Sequence, residues 1–291
     1  MKLEEINIRD PFILFTNEKY YLYGTRAETC WTKADGFDCY QSDDLVEWNG
    51  PVEIFQRPEN FWADRCFWAP ECWKHNGKYY LITTFANDSQ KGIQILQSDR
   101  PDGSFAPVTN GPITPATWKC IDGTLYIEDE KIYLVFSHSF EDVKDGDMCI
   151  AELSSDMTCI VSDIVTIFKA KDAPWAKPVP FAREEFGIDG DVYFSDGPFV
   201  YRTENGQLSI LWSSWGTEGY TVGQVISESG NVHGPWTHIE SPVFAKDGGH
   251  GVFFRTREGE KKYTLHYPNS KGQEHPIFLA LKDDTPKTTV L

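Results

Sequence analysis

The stretch RDPFILFTNEKYYLYGT, residues 9–25, decides the fold. It reads as a short apolar strand, a polar turn at Thr16, Asn17 and Glu18, and a second strand rich in aromatic and branched residues. Four further stretches repeat it: WAPECWKHNGKYYLITTF (68–85), CIDGTLYIEDEKIYLVFSHS (120–139), SDGPFVYRTENGQLSILWSSW (195–215) and GHGVFFRTREGEKKYTLHYP (249–268). Aligned on the second strand, one slot reads Asp10, Ala69, Asp122, Asp196 and His250. After each pair comes a weaker unit, such as CYQSDDLVEWNG or VGQVISESGNVHGPWTHI, which reads as a third strand, a turn and an outer strand. Four strands per unit in five units predict an all-β fold, a five-bladed β-propeller that takes residues 1–291 as a single domain. A β-sandwich would account for the strands but not for the recurring slot.

The longest insertion, KDAPWAKPVPFAREEFGIDGDV (171–192), separates the third and fourth repeats and is expected to form a loop over one face. The C-terminal HPIFLALKDD (275–284) supplies either a last strand to the fifth blade or a strand that pairs with the first blade and closes the ring.

Composition narrows the partners. With Lys+Arg 27 against Asp+Glu 44, the net charge is −17, so no nucleic acid or anionic membrane is expected as a partner, because phosphate binding needs a positive field. No run approaches the ~18 apolar residues of a membrane span. The seven cysteines are odd in number and contain no C-x-x-C pair, and MKLEEINIRDPF shows no apolar signal core. Free thiols in a reducing compartment follow, hence an expected cytoplasmic location. The sequence does not speak to the oligomeric state.

In a propeller the innermost strands line a central channel, and residues at the same end of those strands converge on one mouth. Asp10, Asp122 and Asp196 are therefore expected to share a pocket, with His250 completing the ring. Carboxylates in one pocket cannot all ionise cheaply. One is driven towards the protonated form and can act as an acid, while another stays ionised and can act as a base. That separation is what glycosidic cleavage requires.

The signatures RDP, WAPE, IDGTLY, DGPF and GHG, in this order and spacing, resemble glycoside hydrolase family 43, the five-bladed propellers of the arabinanase, arabinofuranosidase and β-xylosidase group. The similarity runs over nearly the whole chain. It implies an inverting hydrolase of arabinose-, xylose- or galactose-containing oligosaccharides, built as one catalytic domain. Asp10 corresponds to the water-activating base, and Asp122 to the aspartate that tunes the acid and orients the substrate. His250 corresponds to a histidine at the channel floor, where calcium or an ordered water can lie; no cofactor is otherwise required. The fourth blade departs from the family's pattern. The acid there is usually a glutamate before Gly-Pro, and this chain has Asp196, whose side chain is shorter by roughly 1.5 Å. Asp196 is the acid in a tighter pocket, or another carboxyl donates the proton, or hydrolysis is lost and sugar binding kept. Glu71 leads the substitutes because WAPE puts it two residues past the slot. Glu141, Glu218, Glu184, Glu185 and Asp191 are weaker ones. Trp68, Phe67, Trp31 and Trp215 are candidate stacking platforms for sugar rings, and His138 and Arg255 candidate pocket residues. Trp48 and Trp236 read as packing, and His75, His233 and His275 as surface residues.

Overall fold

The computed structural model describes residues 1–282 and 285–286. Its strands form five antiparallel blade sheets, each laid down in chain order, and a short two-stranded pairing of Leu281–Lys282 with Thr285–Pro286. The first blade is β1 (Ile8–Thr16), β2 (Lys19–Arg26), β3 (Gly36–Ser42) and β4 (Trp48–Gln56). The second is β5 (Arg65–His75), β6 (Lys78–Ala86), β7 (Lys91–Ser98) and β8 (Ala106–Pro107). The third is β9 (Cys120–Glu128), β10 (Lys131–His138), β11 (Asp147–Leu153) and β12 (Val165–Lys169). The fourth is β13 (Asp196–Arg202), β14 (Leu208–Gly216), β15 (Gly219–Ser227) and β16 (Trp236–His238). The fifth is β17 (Gly249–Arg255), β18 (Lys261–Tyr267) and β19 (His275–Leu279). This is the expected five-bladed propeller.

The first two strands of a blade are joined by turns whose chemistry the sequence carries. Asn17 and Glu18, Asn76 and Gly77, and Asp129 and Glu130 all take positive φ between paired strands. That is the two-residue hairpin geometry that matches strand twist. Burial follows the propeller plan. A middle strand such as β6 is buried at every position after its first, because both faces are covered by neighbouring blades. Tyr80, Ile82, Ile93 and Ile95 of the second blade pack with Leu125, Leu134 and Phe136 of the third. Trp48 is buried in one such layer, and Trp236 packs on another.

Of the two roles open to the C-terminal segment, the first is observed. Residues of β19 pair with β18 from His275 opposite Tyr267 to Leu279 opposite Tyr263. Asp283, Asp284 and residues 287–291 lie outside the described residues. The 171–192 insertion carries a short helix α1 (Ala182–Phe186) and packs Val179, Ala182 and Val192 against Phe140, Phe194 and Tyr220.

Near the start of every inner strand the ladder skips two residues. Arg9 pairs with Thr25 and Phe12 with Tyr23; Gly249 pairs with His266 and Val252 with Thr264. The same step separates Trp68 from Glu71, Ile121 from Thr124 and Asp196 from Phe199. The first skipped residue is left-handed each time: Asp10 (φ 54°), Ala69 (48°), Asp122 (57°), Gly197 (49°) and His250 (51°). This corrects the slot read from the sequence. Its fourth-blade member is Gly197, and Asp196 sits one residue earlier, level with Arg9, Trp68, Ile121 and Gly249. The cause is steric, since a Cβ on residue 197 would lie 2.6 Å from the His250 ring. Left-handed backbone costs a non-glycine residue roughly 1–2 kcal/mol, and such strain persists where a site needs it.

Candidate active site

The slot residues are tied to one another across the blades. Ala69 N–H donates to Thr25 Oγ1 (2.8 Å), Asp122 N–H to Thr84 Oγ1 (2.9 Å) and His250 N–H to Ser213 Oγ (2.9 Å). Asp10 N–H donates to His266 Nδ1 (3.2 Å) and Gly197 N–H to Asp122 Oδ2 (3.1 Å). These bonds close a ring at one end of the channel. Above it opens a cavity of about 540 Å³, within the range of ligand pockets. Asp10, Asp122, Asp196, His250, Trp31, Trp68 and Trp215 all line it.

Three aspartates meet there in unlike surroundings, Asp10 and Asp122 buried and Asp196 half-buried. Burial alone would raise the Asp10 carboxyl, but His250, His266 and Arg9 outweigh it and hold Asp10 far below the usual carboxylate range. His250 Nδ1 lies 3.3 Å from Asp10 Oδ1, and Thr25 donates to Asp10 Oδ2 at 2.6 Å. Asp196 is driven the opposite way by burial and by the charges of Asp122 and Asp10, against a 3.3 Å hydrogen bond from the Tyr220 hydroxyl. Asp122 is also raised, by burial first, although His250 Nδ1 stands 3.6 Å from its Oδ2. The cavity therefore holds one carboxyl lowered and another raised from the ordinary carboxylate range.

Glu71 is not at this mouth. The bulge carries it past the slot to the level of Phe12 and Thr124, where it is 4% exposed and bound to Thr124 Oγ1 (2.7 Å) and Trp73 Nε1 (2.9 Å). Burial pushes its carboxyl from 4.5 to about 8. A carboxyl raised on folding loses stability as it ionises, so this contribution is complete below pH 4.5 and lost as pH rises through about 8. In Glu71→Gln, turnover is expected to stay within about threefold of the parent, and denaturant unfolding should lack part of the parent's stability loss across that window.

Other expectations are corrected as well. Phe67 is buried among Phe37, Phe55, Phe61 and Phe85, because strand alternation turns its neighbour Trp68 to the cavity instead. His138 stacks flat on Trp118 at 4.1 Å and faces Asp142 at 3.2 Å, outside the lining. Arg255 sits at the far end of β17, donates to Gly259 O and borders a separate cavity of about 280 Å³. Glu141 does reach the cavity, paired with Lys91 and, at 3.5 Å, Lys119, which hold it ionised despite burial. Glu185 lines it from α1, whereas Glu184, Asp191 and Glu218 are exposed elsewhere. His233 is exposed, and His75 and His275 are half-buried outside the site. Calcium needs six to eight oxygen ligands. Among the described residues no three His, Cys, Asp or Glu side chains are arranged to hold an ion, so water would have to supply most of such a shell at His250.

The sequence reading passed over Arg9, Tyr220, Lys91 and Glu274, which also line the cavity, and Phe181 and Phe186 of the insertion. Arg9 had a signal in its place beside Asp10. Tyr220 opens a third strand and carried none.

Three aspartates in one cavity, with carboxyls shifted in opposite directions and tryptophans beside them at the mouth of a five-bladed propeller, are the equipment of a glycosidase. The chain belongs to glycosyl hydrolases family 43, whose model matches residues 5–279. Enzymes of that family act on arabinan, xylan and galactan, and they invert the anomeric centre. The structure is similar to an endo-arabinase from Bacteroides thetaiotaomicron, 35% identical over 98% of both chains, with a TM-score of 0.87. It is also similar to an endo-1,4-beta-xylanase from the same organism, 26% identical over 100% of this chain and 96% of that one, with a TM-score of 0.76. Among curated proteins, an extracellular exo-alpha-(1->5)-L-arabinofuranosidase of Cellvibrio japonicus is 22% identical over 80% of this chain and 67% of its own.

That relative, which is extracellular, overturns the cytoplasmic expectation. The thiol argument fails for a physical reason. Cys30, Cys39, Cys72, Cys120 and Cys149 are buried, and burial raises each thiol, so they are unreactive in either compartment. Among the described residues no helix is long and apolar enough to cross a membrane.

Proposed function

We propose that this chain is an arabinan-directed glycosidase that cleaves α-1,5-linked L-arabinofuranosyl units with inversion. The observation that carries the reading is that Asp10 and Asp196 line one cavity in surroundings that shift their carboxyls in opposite directions. Asp10 takes a proton from a water as that water attacks the anomeric carbon. The glycosidic C–O bond breaks, and Asp196 gives its proton to the departing oxygen. Asp10 ends protonated and Asp196 ionised, so one proton exchange with solvent resets the site. Asp122 raises Asp196 by its charge and offers an acceptor to a sugar hydroxyl. Trp31 and Trp68, edge to face at 5.6 Å, present ring surface to the sugar. The choice of arabinose is supported by the two arabinan-cleaving relatives.

The test is a panel of 4-nitrophenyl α-L-arabinofuranoside, β-D-xyloside and β-D-galactoside together with arabino-oligosaccharides, followed by proton NMR. Arabinose is expected to be released fastest and to appear first as the inverted anomer. A protein that binds these sugars but releases none would instead be a carbohydrate-binding propeller.

A further inference from the structure

Arg9 occupies the position before the slot, the same level as Asp196 and Trp68, and its side chain lines the cavity. It is held from across the ring closure. Its Nη1 donates to Glu274 Oε1 at 2.9 Å, and its guanidinium carbon lies 5.4 Å from the Trp31 ring centre. Glu274 precedes β19 in the fifth blade, and its side chain is 1% exposed. Its Oε2 is buried without a hydrogen-bond partner among the described residues, so Glu274 meets Arg9 through one oxygen only. Asn7 Nδ2 donates to the Glu274 backbone carbonyl at 2.6 Å, which fixes the segment beside β1. Among the described residues the other Arg9 guanidinium N–H groups have no hydrogen-bond acceptor, and they are not enclosed in the core.

We infer that Arg9 and Glu274 form a specificity-determining pair that selects a neutral sugar ring: Glu274 orients the Arg9 fork and, together with Asp10, offsets its charge, so the free N–H groups read sugar hydroxyls. The inference rests on the reading of this cavity as the sugar site. Lys91 of the second blade, half-buried over Trp68, is paired in the same way with Glu141. Where Arg9 and Lys91 stand, each cation is matched by a carboxylate, so that part of the cavity offers hydrogen bonds with little net attraction for an acidic sugar; Lys271, which also lines the cavity, has no salt bridge among the described residues. A bare guanidinium would instead favour a uronate carboxylate, which it binds with two parallel bonds. Arg9 contacts the sugar in this scheme, and Glu274 is a positioning residue that acts through it.

The experiment compares the parent with Glu274→Gln and Arg9→Met, each checked by circular dichroism and thermal melting. Binding of L-arabinose and of D-galacturonate is measured by calorimetry, and KM and kcat are measured on the aryl glycoside that the parent cleaves. Glu274→Gln is expected to raise KM about tenfold with kcat changed less than about threefold, the mark of lost uniform binding. It should also gain galacturonate binding that the parent lacks, and Arg9→Met should abolish that gain and weaken arabinose binding. A purely structural role would lower melting temperature without creating affinity for galacturonate. Folded Glu274→Gln with parental KM and no galacturonate binding overturns the inference, as does a parent that binds neither sugar. A parent that binds arabinose but hydrolyses nothing defeats the hydrolase reading alone, since the calorimetric comparison still decides the pair.

Discussion

Replacing Asp10 with asparagine is expected to lower kcat by about 10²–10⁴-fold, the usual worth of a positioned general base. The substitution keeps the shape of the side chain, and the hydroxyl of Thr25 and the backbone bond to His266 remain available to hold residue 10 in place. What disappears is the carboxylate at the slot that is held well below its ordinary range, and with it the means of activating water. The loss should therefore fall on kcat while KM changes little. Azide, which attacks without giving up a proton, should restore turnover with an activated aryl arabinofuranoside and yield the inverted glycosyl azide. Steady-state kinetics with and without azide measure both effects. Asp10→Asn at parental rates would remove Asp10 from the chemistry.

Asp196→Asn is expected to lose activity in proportion to how badly the leaving group needs a proton. On arabino-oligosaccharides, whose leaving group is a sugar alkoxide, the loss should reach about 10²–10⁴-fold. On a 2,4-dinitrophenyl arabinofuranoside, whose phenolate departs unaided, it should stay within about tenfold. The prediction follows from the placement of Asp196 in the cavity, where burial, Asp122 and Asp10 keep its carboxyl protonated. The aspartate's shorter reach is offset in part by its surroundings, since it lines the same mouth as Asp10 and Asp122 and is hydrogen-bonded by Tyr220. A loss that is equal for both leaving groups would assign Asp196 to binding or packing instead.

The propeller was legible because its signals are local. Asn76 and Gly77, or Asp129 and Glu130, announce a hairpin wherever they fall, and five hairpins in series announce blades. Asp10, Asp122 and Asp196 were legible from recurrence, but the register of Asp196 was not. Alignment on the second strand cannot count a bulge that removes two residues from the ladder of the first. The prolines held the answer, since Pro11, Pro70 and Pro198 fall in step only if Gly197 takes the slot. Glu71 was misplaced by the same bulge, which turns "two residues past the slot" into a deeper level of the channel. Phe67 and Trp68 are adjacent in sequence and face opposite ways, so aromatic character alone did not separate a core residue from a platform. Arg9, Tyr220 and Glu274 come from three elements of three blades, and only closure of the ring brings them together. The cysteines misled for a different reason, because a buried thiol carries no record of the compartment around it.

The central claim is that Asp10 is the base and Asp196 the acid, and the pH dependence of kcat/KM in Asp196→Asn tests it most directly. In the parent, on an oligosaccharide, the profile should be bell-shaped. Its acidic limb should lie below the ordinary carboxylate range, because Asp10 is lowered, and its basic limb above it, because Asp196 is raised. In Asp196→Asn, measured on the dinitrophenyl substrate, the acidic limb should persist and the basic limb should vanish. A basic limb that survives unchanged in that variant would contradict the account, because the proton would then come from another carboxyl.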